Sequence, residues 1–245
     1  MSTPPGRLSI LGHLADMRKH VLRSVIAVGI TTALAFFFYD RIFSILLHPA
    51  GETSLIFTEM TEMISTIVLV CLVSGIMLAI PYLTYEFMMF ISPALTPREK
   101  RYFYLVLPWM VIMFAAGVVF SYFTLTPAAI RFLVGFGSDI ATPQIKVSNY
   151  VSVVARLLLV SGFVFEMPVV TTFLARIGIV SADWLARKRK LVIIVAFIVA
   201  AILTPPDAFT QVILAVPLIV LYELSILLAR VLGKKREAAG PGESA

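Results

Sequence analysis

Charged residues are scarce in this sequence. Only 14% of the 245 residues are Asp, Glu, Lys or Arg, and 60% are hydrophobic, whereas soluble domains carry about 25% charged residues. The apolar residues fall in blocks of about 20, the length that a helix needs to cross a membrane. Because continuous runs of this kind indicate helices rather than barrel strands, the sequence excludes an ordinary soluble domain. It predicts an all-α polytopic membrane protein.

The absence of several sequence motifs argues against whole classes of function. The single cysteine, Cys71, excludes a disulfide within the chain. The sequence contains no G-x-x-x-x-G-K-[ST] loop, H-E-x-x-H helix, G-x-S-x-G turn or cysteine cluster, so we expect no enzyme activity, cofactor or metal. Its start lacks the pattern of a cleavable signal peptide. The net charge of +6 comes from basic residues beside apolar segments, so no nucleic-acid partner is expected.

Six transmembrane helices are predicted, at about residues 21–39, 63–86, 103–125, 150–175, 191–204 and 208–228. If the N-terminus is cytoplasmic, sixteen of the twenty Lys and Arg residues lie on the cytoplasmic side. Arg41, Arg131 and Lys146 lie opposite, and Arg156 lies within a span. The bias predicts that both termini are cytoplasmic, although an odd number of spans would remove it. The spans form one membrane domain, residues 1–233, followed by a disordered cytoplasmic tail, residues 234–245.

The fifth and sixth spans are expected to be short. Leu191 to Leu203 is 13 residues long, and Thr204-Pro205-Pro206-Asp207 follows. Proline lacks an N–H and blocks a continuing helix, so this segment predicts a sharp periplasmic turn. The short span either thins the bilayer, sits in a recess or packs as a hairpin within the bundle. Prolines in the other spans favour a curved, concave wall, and residues 126–149 are predicted to form a periplasmic cap loop.

The segment before the first span is amphipathic. Residues 8–20 predict a helix that lies on the membrane surface or docks on the bundle. Asp16 falls on its polar arc and faces the cytoplasm; in the alternative interpretation it only pairs with His20, four residues on. Arg18 falls on the apolar arc, so it should reach toward the interface or find a buried partner.

Glu166 is the most informative charge, because it lies well inside the fourth span. An ionised acid near mid-bilayer costs a few kcal/mol, so its side chain should face a cavity or a partner helix, or be protonated through desolvation. Pro168 adds a second polar group, since it leaves the carbonyl of Val164 without a donor. Two interpretations remain open, a docking or transport site and a structural hydrogen bond to a neighbouring helix. Glu86 and Glu223 lie near span ends, where the interface is enough to explain them.

Five segments resemble the TatC family of the twin-arginine protein translocase. They are similar to its H-L-x-E-L-R start, its T-E before the second span, its first cytoplasmic loop, its F-E-x-P and its T-P-P-D turn. The segments are His13-Leu14-Ala15-Asp16-Met17-Arg18, Thr61-Glu62, residues 90–101, Phe165-Glu166-Met167-Pro168, and residues 204–211 from Thr204 to Gln211. Their order on six spans makes the resemblance specific.

The resemblance implies that the chain binds signal peptides with two consecutive arginines, carried by folded cargo proteins. Asp16, where the family usually has Glu, and Glu99 would bind the guanidinium groups, because a carboxylate accepts the guanidinium fork in bidentate geometry. Other members of this signal-binding set would be Arg18, Phe90, Pro93 and Arg101. Glu86 stands where relatives often carry Gln.

The resemblance also implies partners within the membrane. Single-span TatA- and TatB-type subunits would dock at Glu166, Pro168 and Gln211, while Pro205, Pro206 and Asp207 form the periplasmic turn. Export from the inner membrane would use the proton-motive force. Six spans are too few to enclose a folded domain, so a higher-order oligomer is expected. The alternatives are a proton-coupled small-solute transporter that uses Glu166, and an assembly factor without a substrate.

Overall fold

The structure is a computed structural model, and it describes residues 10–51, 55–92, 96–136, 143–203 and 208–232. These residues form ten α-helices and two short strands. The helices are α1 Ile10–Phe37, α2 Tyr39–Leu47, α3 Glu62–Ile91, α4 Pro97–Phe120, α5 Thr126–Gly135, α6 Val147–Phe165, α7 Met167–Arg176, α8 Ala182–Arg187, α9 Arg189–Leu203 and α10 Ala208–Leu232. The strands are β1 Leu55–Ile56 and β2 Ile145–Lys146.

The predicted all-α membrane class is confirmed. Five helical runs in the described ranges are long and apolar enough to cross a membrane: Asp16–Phe37, Glu62–Phe90, Tyr104–Gly135, Val147–Arg176 and Ala208–Leu232. Helix α9 has 15 residues and measures about 22 Å at 1.5 Å per residue, less than the hydrocarbon layer of about 30 Å. The fifth predicted span is therefore short. Helix α10 has 25 residues and continues through residues 229–232, beyond the predicted end of the sixth span at about residue 228.

The amphipathic segment and the first predicted span form one helix. Helix α1 runs without a break for 28 residues from Ile10, since no proline interrupts it. It packs along α3 and leaves most of its side chains exposed. Gly75 permits the close approach of the two helices, because a Cβ at this position would collide with the backbone of Thr32.

The remaining long helices pack in sequence beside this pair. Helix α3 also contacts α6, α6 contacts α4, and α7 and α9 contact α10. Val151 and Val154 of α6 are fully buried, as are Ala200 of α9 and Ala215 of α10. The order of contacts gives a wall of helices in which α1 lies at one edge. The curvature of this wall stays a prediction.

The wall has two ends with different charge. One end, which we call the basic end, contains α8 and the starts of α1, α4 and α9, together with the ends of α3, α7 and α10. Its described cations are Arg18, Lys19, Arg23, Lys100, Arg176, Arg187, Lys188, Arg189, Lys190 and Arg230. The other end, which we call the cap end, carries Arg41, Arg131 and Lys146.

The cap end differs from the single loop predicted at residues 126–149. Helix α5 occupies Thr126–Gly135 instead, because Pro127 stands in its first turn, where proline needs no N–H partner. Residues 55–56 of β1 pair in parallel with residues 145–146 of β2, and α6 begins directly afterwards. The cap is therefore helical in part and tied to the segment before α3. The turn residues Pro205, Pro206 and Asp207 and the tail 234–245 lie outside the described residues.

Candidate functional sites

A polar cluster joins α1 to α3 at the basic end. The Nδ1–H of His20 donates to Oε2 of Glu86 at 2.5 Å, and the hydroxyl of Tyr82 donates to Oε1 of Glu86 at 2.6 Å. Glu86 is 3% exposed. The sequence suggested that Glu86 is explained by its position near the membrane interface. The structure gives another reason, because this acid is buried and both of its oxygens accept hydrogen bonds.

Asp16 lies one turn before this cluster on α1. Its carboxylate is 3.6 Å from Nζ of Lys19, and both side chains are largely exposed. The alternative in which Asp16 pairs with His20 is wrong, since His20 is bonded to Glu86 instead. Arg18 is exposed as well. Asp16 is thus available to a ligand that approaches from solvent.

Two contacts define where α1 and α3 lie alongside each other as an antiparallel pair. His20 bonds to Glu86, and eleven residues further along α1 the hydroxyl of Thr31 donates to the carbonyl of Gly75 at 2.8 Å. This register places Asp16 level with Phe90, whose ring lies edge-on to His20 with the ring centres 6.2 Å apart. Asp16 and Phe90 of the predicted signal-binding set therefore lie at the same level of the α1–α3 pair.

The other members of the set lie in the following segment. Glu99 and Arg101 stand in the first turns of α4, which starts shortly after the end of α3, and only their backbone is described. Pro93 lies outside the described residues. The described members of the set thus lie at one end of the wall, shared by the start of α1, the end of α3 and the start of α4.

Glu166 stands at a break between α6 and α7. Its N–H donates to the carbonyl of Phe163 at 3.1 Å, and its own carbonyl accepts from the N–H of Val170 at 2.9 Å. The break follows from Pro168, which has no N–H to offer to the carbonyl four residues earlier. The side chain of Glu166 is 9% exposed, so the chain buries a carboxyl group at a discontinuity in the helix.

The environment of this carboxyl group is almost wholly apolar. Its Oε2 atom has no hydrogen-bond partner among the residues that the structure describes. It lines a cleft of about 280 Å³ between α3, α4 and the α6–α7 break. The other lining residues are Ile80, Leu83, Thr84, Phe87, Met110, Phe114, Phe163 and Val170. The alternative interpretation of Glu166 was a structural hydrogen bond to a neighbouring helix. Among the described residues, none supplies such a bond to Oε2.

The three residues predicted for partner docking do not share one cleft. Pro168 lines a different groove, of about 610 Å³, between α4, α7 and α10. Nε2 of Gln211 donates to the carbonyl of Phe197 in α9 at 3.0 Å. Gln211 therefore joins α10 to the short helix α9, which gives it a role within the chain.

Glu62 is a third buried acid, and its partner was not evident from the sequence. Its carboxylate accepts from the N–H of Thr58 at 2.8 Å and from the hydroxyl and N–H of Ser148 at 2.7 and 3.2 Å. Because Ser148 belongs to the first turn of α6, this contact holds the starts of α3 and α6 together below the paired strands.

Comparison with known proteins identifies the family. The family model for the Sec-independent protein translocase protein TatC matches residues 12–217. The chain belongs to the TatC family. It is 42% identical over 231 residues to the Sec-independent protein translocase protein TatC of Desulforapulum autotrophicum, covering 92% of this chain and 86% of that protein. It is 38% identical over 236 residues to the TatC of Carboxydothermus hydrogenoformans, covering 95% and 97%.

A solved structure agrees with these relatives. A crystal structure described as the twin arginine translocase receptor TatC superimposes with a TM-score of 0.82 at 38% identity, covering 90% of this chain and 99% of that one. The predicted resemblance to the TatC family is confirmed. The chain is a multi-pass membrane subunit of a bacterial Sec-independent, twin-arginine protein translocase, with a role in transport.

Proposed function

We propose that this TatC-family chain binds the twin-arginine signal peptides of folded cargo at its basic end. With TatA- and TatB-type subunits, in a higher-order oligomer, it would then export the cargo across the inner membrane at the expense of the proton-motive force. The observation that carries the proposal is the placement of Asp16. This exposed carboxylate lies level with Phe90 at the end of α3 and at the same end as the first turn of α4, which contains Glu99.

The state of Asp16 suits a binding carboxylate. Its contact with Lys19 is solvent-exposed, and exposed pairs of this kind contribute at most about 1 kcal/mol. A guanidinium group can replace the ammonium of Lys19 at little cost and form two parallel hydrogen bonds. Two such carboxylates, Asp16 and Glu99, would prefer two arginines over two lysines, because an ammonium group lacks the planar fork.

The sidedness of the site follows from the charge difference between the ends. Ten described cations lie at the basic end and three at the cap end, and under the positive-inside bias this difference supports a cytoplasmic basic end. Both termini would then be cytoplasmic. Signal peptides on cargo that awaits export are present on that side.

Photo-crosslinking tests the signal site. A peptide with an Arg-Arg signal and a photoreactive group should crosslink to the segment around residue 99, and Glu99→Ala or a Lys-Lys peptide should abolish the product. Glu59→Ala is the matched control, because Glu59 is an exposed glutamate at the cap end and should not affect crosslinking. Equal yields with the Arg-Arg and Lys-Lys peptides would contradict the proposal.

Glu166 supports a second part of the proposal, the docking of a partner helix. A buried carboxyl oxygen without a described partner, in an apolar cleft, is costly unless a hydrogen-bond donor reaches it. A polar side chain on the single helix of a TatA- or TatB-type subunit could reach it laterally through the membrane. Glu166→Ala should therefore block export and partner crosslinking while signal binding persists. Loss of signal binding with retained partner contact would refute this division.

A further inference from the structure

In the cluster of His20, Glu86 and Tyr82, each oxygen of a buried acid accepts one hydrogen bond. Oε2 of Glu86 accepts from His20 on the neighbouring helix, and Oε1 accepts from Tyr82, one turn earlier on the same helix. The side chain of His20 is 22% exposed and that of Glu86 3%. Removing one member of such a pair leaves a buried polar group uncompensated, which costs more than the pair contributes.

Helix α1 depends on few polar contacts of this kind. It lies at the edge of the wall and packs mainly on α3. Its second half is held closely at Gly75, where the helix backbones approach and Thr31 donates to the Gly75 carbonyl. Its first half, which carries Asp16, is linked to α3 by the His20–Glu86 hydrogen bond, and the charge of Arg23 also lies close enough to act on Glu86. The position of Asp16 therefore depends on this bond.

We propose that His20, Glu86 and Tyr82 form a clasp that positions the signal-binding carboxylates. By fixing the start of α1 against the end of α3, the clasp holds Asp16 level with Phe90, at the same end of the wall as the first turn of α4. Because Glu86 is buried and bonded to His20 and Tyr82, it does not compete with Asp16 and Glu99 for the guanidinium groups of a signal. These three are positioning residues, and this inference rests on the proposed binding of twin-arginine signals.

The test uses the full chain in nanodiscs and two readouts. The first is the affinity for a fluorescent Arg-Arg signal peptide. The second is the distance distribution between spin labels at Leu22→Cys on α1 and Leu105→Cys on α4, in a Cys71→Ser background; Leu22 and Leu105 are exposed. Thr31→Val is the matched control, because it removes a hydrogen bond from the same helix pair far from Asp16.

His20→Ala and Glu86→Leu should each weaken peptide binding about tenfold, the effect of one lost hydrogen bond to a charged group, and should broaden the distance distribution. Glu86→Gln keeps hydrogen-bonding atoms at the same position and should rescue both readouts. Thr31→Val should leave both as in the unmodified chain. If His20→Ala does not fold, the double variant His20→Ala/Glu86→Gln removes the buried charge and carries the same expectation.

Several results would overturn the inference. An unchanged distance distribution or an unchanged affinity in His20→Ala would show that the clasp does not position α1. If Thr31→Val and His20→Ala changed the affinity and the distance distribution equally, the effect would come from general packing of α1 on α3 and not from the clasp. If the unmodified chain bound Arg-Arg and Lys-Lys peptides equally, the proposed function would fail instead, and the distance readout would still decide whether the clasp fixes α1.

Discussion

Glu86 and Glu166 are both buried acids within apolar helices, but their carboxyl groups differ in the hydrogen bonds that the chain provides. Both oxygens of Glu86 accept hydrogen bonds from His20 and Tyr82. Oε2 of Glu166 has no partner in the described part of the chain, and its cleft is lined mainly by apolar side chains. A buried acid that its own chain satisfies stabilises a fixed arrangement of helices. A buried acid that its own chain leaves unsatisfied is suited to a partner from another subunit.

The largest effect on stability is expected when the satisfied acid loses its partner. His20→Ala leaves the buried Glu86 without its contact to α1 and should destabilise the chain by about 3 kcal/mol. Thermal unfolding in detergent, followed by circular dichroism, measures the change. A destabilisation below that of Thr31→Val would indicate that the two acids do not differ as the structure suggests.

Glu166→Leu should not destabilise the chain, in contrast to His20→Ala. The substitution removes a carboxyl oxygen without a described partner and fills an apolar cleft, so the chain should be as stable as before or more stable by about 1 kcal/mol. Crosslinking to a TatA- or TatB-type helix should fall at least about tenfold, which corresponds to about 1.4 kcal/mol. The stability is measured on the isolated chain, and the crosslink yield is measured on the complex co-purified with the partner subunit. Strong destabilisation of the isolated chain would assign Glu166 a structural role.

Glu62 extends the comparison to a third acid. Its three hydrogen bonds from Thr58 and Ser148 place it with Glu86, as an acid that the chain satisfies. Ser148→Ala removes one donor and should destabilise the chain by about 1 kcal/mol, while signal binding at the distant basic end remains unchanged. Melting curves and peptide titrations of the same preparation check both statements, and weaker peptide binding would contradict the second.

The smallest effect is expected at the exposed pair of Asp16 and Lys19. Lys19→Ala should change stability by less than about 0.5 kcal/mol, because the pair is exposed to solvent. Arg-Arg peptide affinity should stay equal or rise slightly, since the competing ammonium group is gone. A large loss of affinity would indicate that Lys19 itself contacts the signal.

The sequence predicts those features that depend on neighbouring residues. Long apolar runs predicted the helices, Pro168 predicted the discontinuity beside Glu166, and the residues before Pro205 predicted the short α9. Helix α10 extends four residues beyond the predicted end of the sixth span, where the long basic side chain of Arg230 can reach the interface. Helix α5 was missed because its length and its proline suggested a loop.

Partners that are distant in the sequence were not predictable in this way. His20 and Glu86 lie on different helices, as do Glu62 and Ser148, and Gln211 and Phe197. Each pair depends on the register of two packed helices, which the pattern of a single helix does not contain. The alternative in which Asp16 pairs with His20 rested on local spacing alone. The packing of α1 on α3 provides His20 with a buried carboxylate instead.

One paired measurement tests the central distinction between the two acids. Binding of an Arg-Arg signal peptide and crosslinking to a TatA- or TatB-type helix should be measured in the same nanodisc preparation for His20→Ala and Glu166→Ala. We predict that His20→Ala weakens peptide binding and keeps the partner crosslink, whereas Glu166→Ala keeps peptide binding and loses the partner crosslink. If both variants lose the same activity, or if the two patterns are exchanged, the assignment of Glu86 to positioning and Glu166 to docking is contradicted.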